Sequence, residues 1–164
     1  MEKILLLNTG GTFNKTYNPC SGELEITTQD KALQTIAQKW LTQFEVIQVL
    51  EKDSLDMNEY DREKLLKTIQ QHPHRAILIV HGTDTIHLSA QHLALASLPN
   101  AIVFTGAMVP FSIDPIEATA NLALAYGFLR ADPSPDIYIA MHGHCVPHTQ
   151  LKKNHQKGVF QLLK

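Results

Sequence analysis

Two short stretches carry the side chains best suited to chemistry. Thr9-Gly10-Gly11-Thr12 follows the apolar run Lys3–Leu7, and His81-Gly82-Thr83-Asp84-Thr85 follows the apolar run Ala76–Val80. Gly10 and Gly11 let backbone amides approach a ligand with no Cβ in the way, and Thr12 offers a hydroxyl at the edge of that loop. Thr83 stands near the predicted start of a helix, where free amides and the helix dipole favour negative charge. Asp84 supplies a fixed carboxylate suited to an ammonium group. Hydroxyls, a carboxylate and exposed amides together point to acyl transfer on a small zwitterion. Spacing alone leaves a second reading open, in which Thr9-Gly10-Gly11-Thr12 is only a capped turn.

These loops need a scaffold, and the pattern of the chain predicts one. Lys3–Leu7, Glu45–Leu50, Ala76–Val80, Ala101–Thr105 and Ile137–Met141 are short, continuously apolar runs, as strands covered on both faces require. Helical patterns separate them: Gln29–Thr42, with Leu33, Ile36, Ala37, Trp40 and Leu41 on one face; Asn58–Gln71, with Leu65, Leu66 and Ile69 facing in; Thr85–Ser97; and Pro115–Arg130. Asp114, Pro115 and Glu117 form a helix-start signal, and Asp56 with Glu59 suggests a similar cap for the second helix. Strands alternating with helices pair in parallel. The expectation is one α/β domain over residues 1–164, a three-layer doubly wound parallel sheet of the Rossmann/flavodoxin-like kind, with strand order 2-1-3-4-5. In such a sheet ligands bind beyond the carboxyl ends of the strands at the switch point, here between strands one and three, where the two hydroxyl-bearing loops emerge. Pro133 and Pro135 mark a loop, and Met141–Lys164 reads as a loop plus a terminal segment.

Hydrophobic content of 44%, charged content of 18% and a net charge of −2 fit a globular chain. The charge balance argues against a nucleic-acid partner. The run Ile4–Leu7 is too short for a signal peptide, and no apolar run approaches the ~18 residues a membrane span needs. Cys20 and Cys145 cannot build a disulfide scaffold. A cytoplasmic protein with no membrane partner is expected.

Other α/β chemistries fit less well. Gly-x-Gly-x-x-Gly and Gly-Lys-Ser/Thr are absent, and Asn8 and Thr9 stand where a phosphoacceptor domain would carry acids. A flavin-binding domain of the flavodoxin type is the least favoured of the readings kept. His142-x-His144-Cys145-x-x-His148 has metal-ligand chemistry but irregular spacing, so a polar loop is the better reading and no metal or cofactor is expected. His81 reads as a locally bonded ring. His87 and His92, five apart, do not share a helix face. Cys20 reads as a bystander, and Trp40 as a packing residue beside Ile36 and Ala37.

The two loops, taken with Asp53-Ser54-Leu55-Asp56-Met57 after strand two and Thr105-Gly106-Ala107-Met108-Val109-Pro110, Asp114 and Asn121 after strand four, resemble the bacterial-type L-asparaginase/glutaminase family in order and spacing along nearly the whole chain. The resemblance implies a threonine-dependent amidohydrolase acting on L-asparagine, with L-glutamine as a further substrate to consider. It maps the nucleophile onto Thr12, a second threonine onto Thr83, and its lysine partner onto Lys152 by preference, with Lys153 the alternative. It maps the assisting tyrosine onto Tyr17, the grip on the substrate α-amino group onto Asp84, and the grip on the α-carboxylate onto Ser54. The resemblance also implies that Gly11 and Leu55 line the substrate. A threonine hydroxyl needs a nearby base, and amides of the glycine loop would stabilise the oxyanion.

Two departures shape the expectation further. The family carries a smaller C-terminal domain that completes the neighbouring subunit's site with an acidic residue. This chain ends soon after the lysine motif, so that domain is expected to be absent. Leu55 stands where many members carry a polar residue, often Gln. Leaving a charged substrate end without its partner costs roughly 2–5 kcal/mol. Weak asparaginase activity is therefore expected, the alternative being a non-catalytic amino-acid-binding or regulatory module. Self-association as a homodimer is expected to cover exposed apolar surface.

Overall fold

Every residue of the first strand, β1 (Ile4–Gly10), is buried, as a strand covered on both faces must be. The computed structural model describes residues 3–27 and 30–163; Gln29, the expected first residue of the first helix, and Lys164, the end of the expected tail, lie outside them. After β1 the chain forms a 3-10 turn at Thr12–Asn14, a hairpin of β2 (Lys15–Asn18) and β3 (Glu23–Ile26), helix α1 (Lys31–Lys39), and β4 (Glu45–Lys52). A second 3-10 turn at Ser54–Asp56 leads into α2 (Glu59–Gln70), followed by β5 (Ala76–Val80), α3 (Ile86–Ala94), β6 (Ala101–Thr105), α4 (Pro115–Arg130) and β7 (Asp136–Met141). The chain closes with β8 (His144–Pro147), a 3-10 turn at His148–Gln150, β9 (Leu151–Asn154) and β10 (Val159–Leu162).

The main sheet runs β4-β1-β5-β6-β7-β8. Its first five strands are parallel, in the expected 2-1-3-4-5 order, and β8 adds antiparallel to β7. Residue alternation splits the interior in two. Ile77, Ile79, Ile102 and Phe104 face a core closed by α2, α3 and the β9–β10 hairpin through Leu65, Ile69, Ile86, Leu93 and Phe160. Leu78, Val80 and Val103 face a second core closed by α1 and α4 through Leu33, Ile36, Leu122 and Leu129. The architecture is the doubly wound α/β domain the strand pattern predicts.

Three local expectations are corrected. Helix α1 stops at Lys39: Leu41 adopts φ 53 and is 94% exposed, so it belongs to no helix face. Trp40 caps that end and packs with Phe44 and Tyr126 at ring separations of 5.7 and 5.8 Å. The cap of α2 is Asn58, not Asp56: Asn58 Oδ1 accepts from the Asp61 amide, and Asp61 accepts from the Asn58 amide. Two backbone donors are thereby satisfied reciprocally. The stretch after β7 is not a loop but three strands, which its mixed polar composition hides because each is buried on one side at most. The cap of α4 is as expected, Asp114 accepting from the Ile116 amide at 2.9 Å. Among the described residues no helix is long and apolar enough to cross a membrane.

Candidate active site

The site forms where β1, β4, β5 and β6 end, because β1 lies between β4 and β5 and the crossovers leave it in opposite directions. Bare backbone is what lets the loops meet. Gly11 adopts φ +75, and a Cβ on it would lie 2.5 Å from the Gly82 backbone. A Cβ on Gly82 would in turn lie 2.6 Å from the Cβ of Ser54. Thr12, Thr83 and Ser54 thus occupy loops in direct contact, two of them following glycines packed backbone to backbone.

Thr12 is half-buried and opens the first 3-10 turn. Beneath that turn lies a polar network that sequence reading missed. Asn14 Nδ2 donates to Asn8 Oδ1 at 2.9 Å and to the Gly10 carbonyl at 2.8 Å, and Asn8 Nδ2 donates to Asp30 Oδ1 at 2.9 Å. Two asparagines six apart around a glycine turn, at the end of an apolar strand, are the signal that such burial must be satisfied. The amides of the glycine loop are already engaged: Gly10 N–H donates to Asn8 Oδ1 and Gly11 N–H to the Lys52 carbonyl. The glycines therefore serve close approach, and the expectation that they present free amides to a ligand is corrected.

Ser54 is fully buried; its Oγ accepts from the Thr85 amide at 3.3 Å, and its carbonyl accepts from Thr85 Oγ1 at 2.7 Å. Thr83 is buried and Asp84 half-buried, and one cation serves both. Lys153 Nζ donates to Thr83 Oγ1 at 2.9 Å and to Asp84 Oδ1 at 2.8 Å. His155 Nδ1 stands 3.5 Å from the same Asp84 oxygen. The preference for Lys152 is corrected: β9 alternates, so Lys153 turns inward while Lys152 is exposed on the other face. A stretch read as loop gave no reason to apply that alternation.

Two further expected residues are not brought in. Tyr17 lies on β2 opposite Leu24 and is 62% exposed. Leu55 is 70% exposed, its amide donating to Asp53 Oδ1. Lys15 ties the hairpin to the Ser54 loop, its Nζ 2.6 Å from Asp53 Oδ2. Burial alone would raise the Asp53 pKa, but the Lys15 hydrogen bond and the Leu55 amide outweigh it and hold the carboxyl below its usual value.

His81 is completely buried, its Nδ1 against the Gly82 carbonyl and its Nε2 against Ser89 Oγ, each at 2.8 Å. Burial pushes its pKa down to about 4, so the ring is neutral and braces the second loop. The histidines after β7 diverge. His142 Nε2 meets Glu117 at 3.1 Å, whereas His148 Nδ1 meets the Ile137 carbonyl at 3.3 Å. Burial pushes the Cys145 thiol up to about 12, far from a thiolate ligand. Among the described residues no three His, Cys, Asp or Glu side chains are grouped to hold a metal.

A sheet of this order with hydroxyl-bearing turns at its switch point defines a class. The chain matches the family model "Asparaginase, N-terminal" over residues 3–161 and belongs to that family. It is similar to an L-asparaginase from Thermococcus kodakarensis, 26% identical over 162 residues that cover 96% of this chain and 49% of the relative. The solved structure of the thermostable L-asparaginase from that organism superposes with a TM-score of 0.85 at 28% identity, covering 98% of this chain and 51% of that one. A component of the glutamyl-tRNA(Gln) amidotransferase of Archaeoglobus fulgidus is 33% identical over 98 residues, 54% of this chain and 23% of the relative. A probable cytoplasmic L-asparaginase from Campylobacter jejuni shares the fold, with a TM-score of 0.81 at 22% identity over 99% of this chain and 53% of that one. The chain spans about half the length of the L-asparaginases it matches.

Proposed function

We propose that this domain bears the nucleophile of an amidohydrolase that converts L-asparagine into L-aspartate and ammonia. The observation that carries the reading is the Lys153 ammonium held between Thr83 and Asp84, on a loop packed against Gly11. Thr12 Oγ attacks the side-chain amide carbon and gives up its proton to a base in the site. The tetrahedral intermediate expels ammonia once its nitrogen is protonated, leaving an ester on Thr12. Water then attacks the ester, releasing aspartate and restoring the hydroxyl. Lys153 donates to the Thr83 oxygen, which leaves the Thr83 hydrogen free to turn toward a partner in a proton relay. Asp84 takes the substrate ammonium and Ser54 the α-carboxylate. Tyr17, exposed on its hairpin, has to swing inward to assist. Leu55, exposed beside Ser54, offers a zwitterion no hydrogen bond, which changes affinity or specificity.

Ammonia release from L-asparagine by the wild type, Thr12→Ala and Thr83→Val tests this. The expected result is measurable release by the wild type and a fall of roughly a hundredfold or more in each variant; equal rates in all three would sink the reading. The exposure of Tyr17, away from the nucleophile it is expected to assist, favours a second reading, a module that binds the amino acid without hydrolysing it. Calorimetric binding of L-asparagine with no ammonia formed would select that one. Running L-glutamine beside L-asparagine decides the substrate. Self-association belongs to the same proposal: Tyr60, Ile113 and Ile116 expose 60–77% of their surface, and a dimer by sedimentation velocity is expected.

A further inference from the structure

Lys153 sits on a two-stranded hairpin that forms a sheet of its own beside the main one, so contacts outside the hairpin must fix it. In the β9–β10 register Phe160 is directly opposite Lys153. Residues paired this way present their side chains on one face. The Phe160 amide points away from β9 and donates to His142 Nδ1 at 3.3 Å. The His142 and Phe160 rings also meet edge to face, 5.7 Å apart at 87°. Because Nδ1 accepts from an amide it carries no proton, and Nε2–H is then the donor to Glu117 Oε1 at 3.1 Å. Glu117 is itself held: its carboxylate accepts from the Met108 and Val109 amides at the end of β6. The His142 amide donates to Asn121 Oδ1 at 3.0 Å.

The backbone adds a second, independent observation. His142 (φ 50) and Gly143 (φ 82) form the two-residue turn between β7 and β8, a position where both residues need positive φ and Asn-Gly or Asp-Gly is favoured. Histidine tolerates positive φ better than most side chains, but it is not the residue this turn favours. What histidine adds is a side chain long enough to bridge Glu117 and Phe160.

We propose that Glu117 and His142 are a positioning pair that fixes β10 and, through the Phe160–Lys153 pairing, sets Lys153 against Thr83. The inference rests on the reading that Lys153 and Thr83 act in hydrolysis. Both act through Phe160 and Lys153 and have no part in the chemistry itself.

His142→Asn, His142→Gln and Glu117→Ala separate this from a general structural role. Asn Oδ1 takes the place of Nδ1, keeps the acceptor for Phe160 and suits the turn. Gln reaches Glu117 but leaves the Phe160 amide without an acceptor. Three quantities are read: hydrogen exchange of the Phe160 amide, the NMR signals of the Lys153 side chain, and kcat and KM for ammonia release. In His142→Gln, Phe160 exchange quickens about tenfold, the Lys153 signals move, and kcat falls about tenfold to a hundredfold, with KM shifting too because Lys153 also holds Asp84. His142→Asn restores all of these to near wild type. Glu117→Ala quickens Phe160 exchange in the wild-type background but adds nothing in the His142→Asn background, where Glu117 has no ring to hold. Unchanged Phe160 exchange and Lys153 signals in His142→Gln would overturn the proposal, as would equal damage in Asn and Gln. If the wild type releases no ammonia, the hydrolytic reading falls, and the two NMR readouts still decide the positioning pair.

Discussion

The oxygen of Thr83 has a lysine donor at 2.9 Å, and the lysine has a carboxylate at 2.8 Å. A side chain held on two sides in this way is worth testing one atom at a time. Lys153→Met removes the donor and keeps the stem, so ammonia release is expected to drop by roughly 10²–10⁴-fold. Lys152→Met, on the outer face of β9, is expected to stay within about twofold; a steady-state assay of both variants separates the neighbours. His81 offers a different test. Its folded pKa of about 4 lies below the ordinary 6.5, so between those values the unfolded chain binds a proton that the folded chain refuses. Stability is therefore fully present above pH 6.5 and declines as pH falls toward 4, by roughly 3 kcal/mol at the limit. Urea unfolding at pH 7 and pH 4.5, with His81→Asn as the flattened reference, reads this directly.

At the scale of elements, short polar signals decide where helices begin and how loops sit. Asn58 and Asp61 close a reciprocal cap on α2, and Asp61 also takes both contacts from Lys52 at 2.9 Å. Asn58→Ala is expected to lower stability by about 1 kcal/mol. Asp56→Ala, at an exposed position in the preceding 3-10 turn, should change it by less than about 0.5 kcal/mol; denaturant midpoints at constant slope distinguish the two. Glu117, which by position reads as a cap partner of Asp114, instead reaches the β6 loop and His142. Asp30, at the N-terminus of α1, likewise spends its carboxylate on Asn8. In both cases a helix-end acid has been taken over by the turn it packs against.

Across the whole molecule, the sheet separates two apolar cores, and the loops at its carboxyl edge are fastened to one another by contacts that exclude side chains. Gly82→Ala would drive a Cβ into Ser54, and is expected to cost about 1–3 kcal/mol and to depress ammonia release together with substrate affinity. Gly127→Ala, in α4 with nothing within 4 Å of its Cβ position, is expected to stabilise by about 0.5–1 kcal/mol. Thermal unfolding of the two alanine variants should move in opposite directions. The same edge shows why the domain tolerates a polar floor: Asn8 and Asn14 are buried but bonded to each other, to Asp30 and to the Gly10 backbone, while Ser54 Oγ accepts from the Thr85 amide and keeps its hydrogen to donate.

The sequence by itself determined the central scaffold. Short apolar runs bounded by turn residues read as buried strands, and their alternation with helical periods gives a doubly wound sheet whose switch point lies between Thr9-Gly10-Gly11-Thr12 and His81-Gly82-Thr83-Asp84-Thr85. Those signals are local, a few residues wide, and survive in one dimension. What only the tertiary structure decided are contacts between residues far apart in the chain: Lys153 rather than Lys152 on Thr83, the glycine amides engaged by Asn8 and Lys52, and Glu117 turned to His142. The tail shows the limit most clearly. Its strands are four residues each, half-exposed and mixed in polarity, too short for a period in the sequence to mark them. Their pairing becomes favourable only once the main sheet exists to pack against, and the lysine they carry is aimed by that packing.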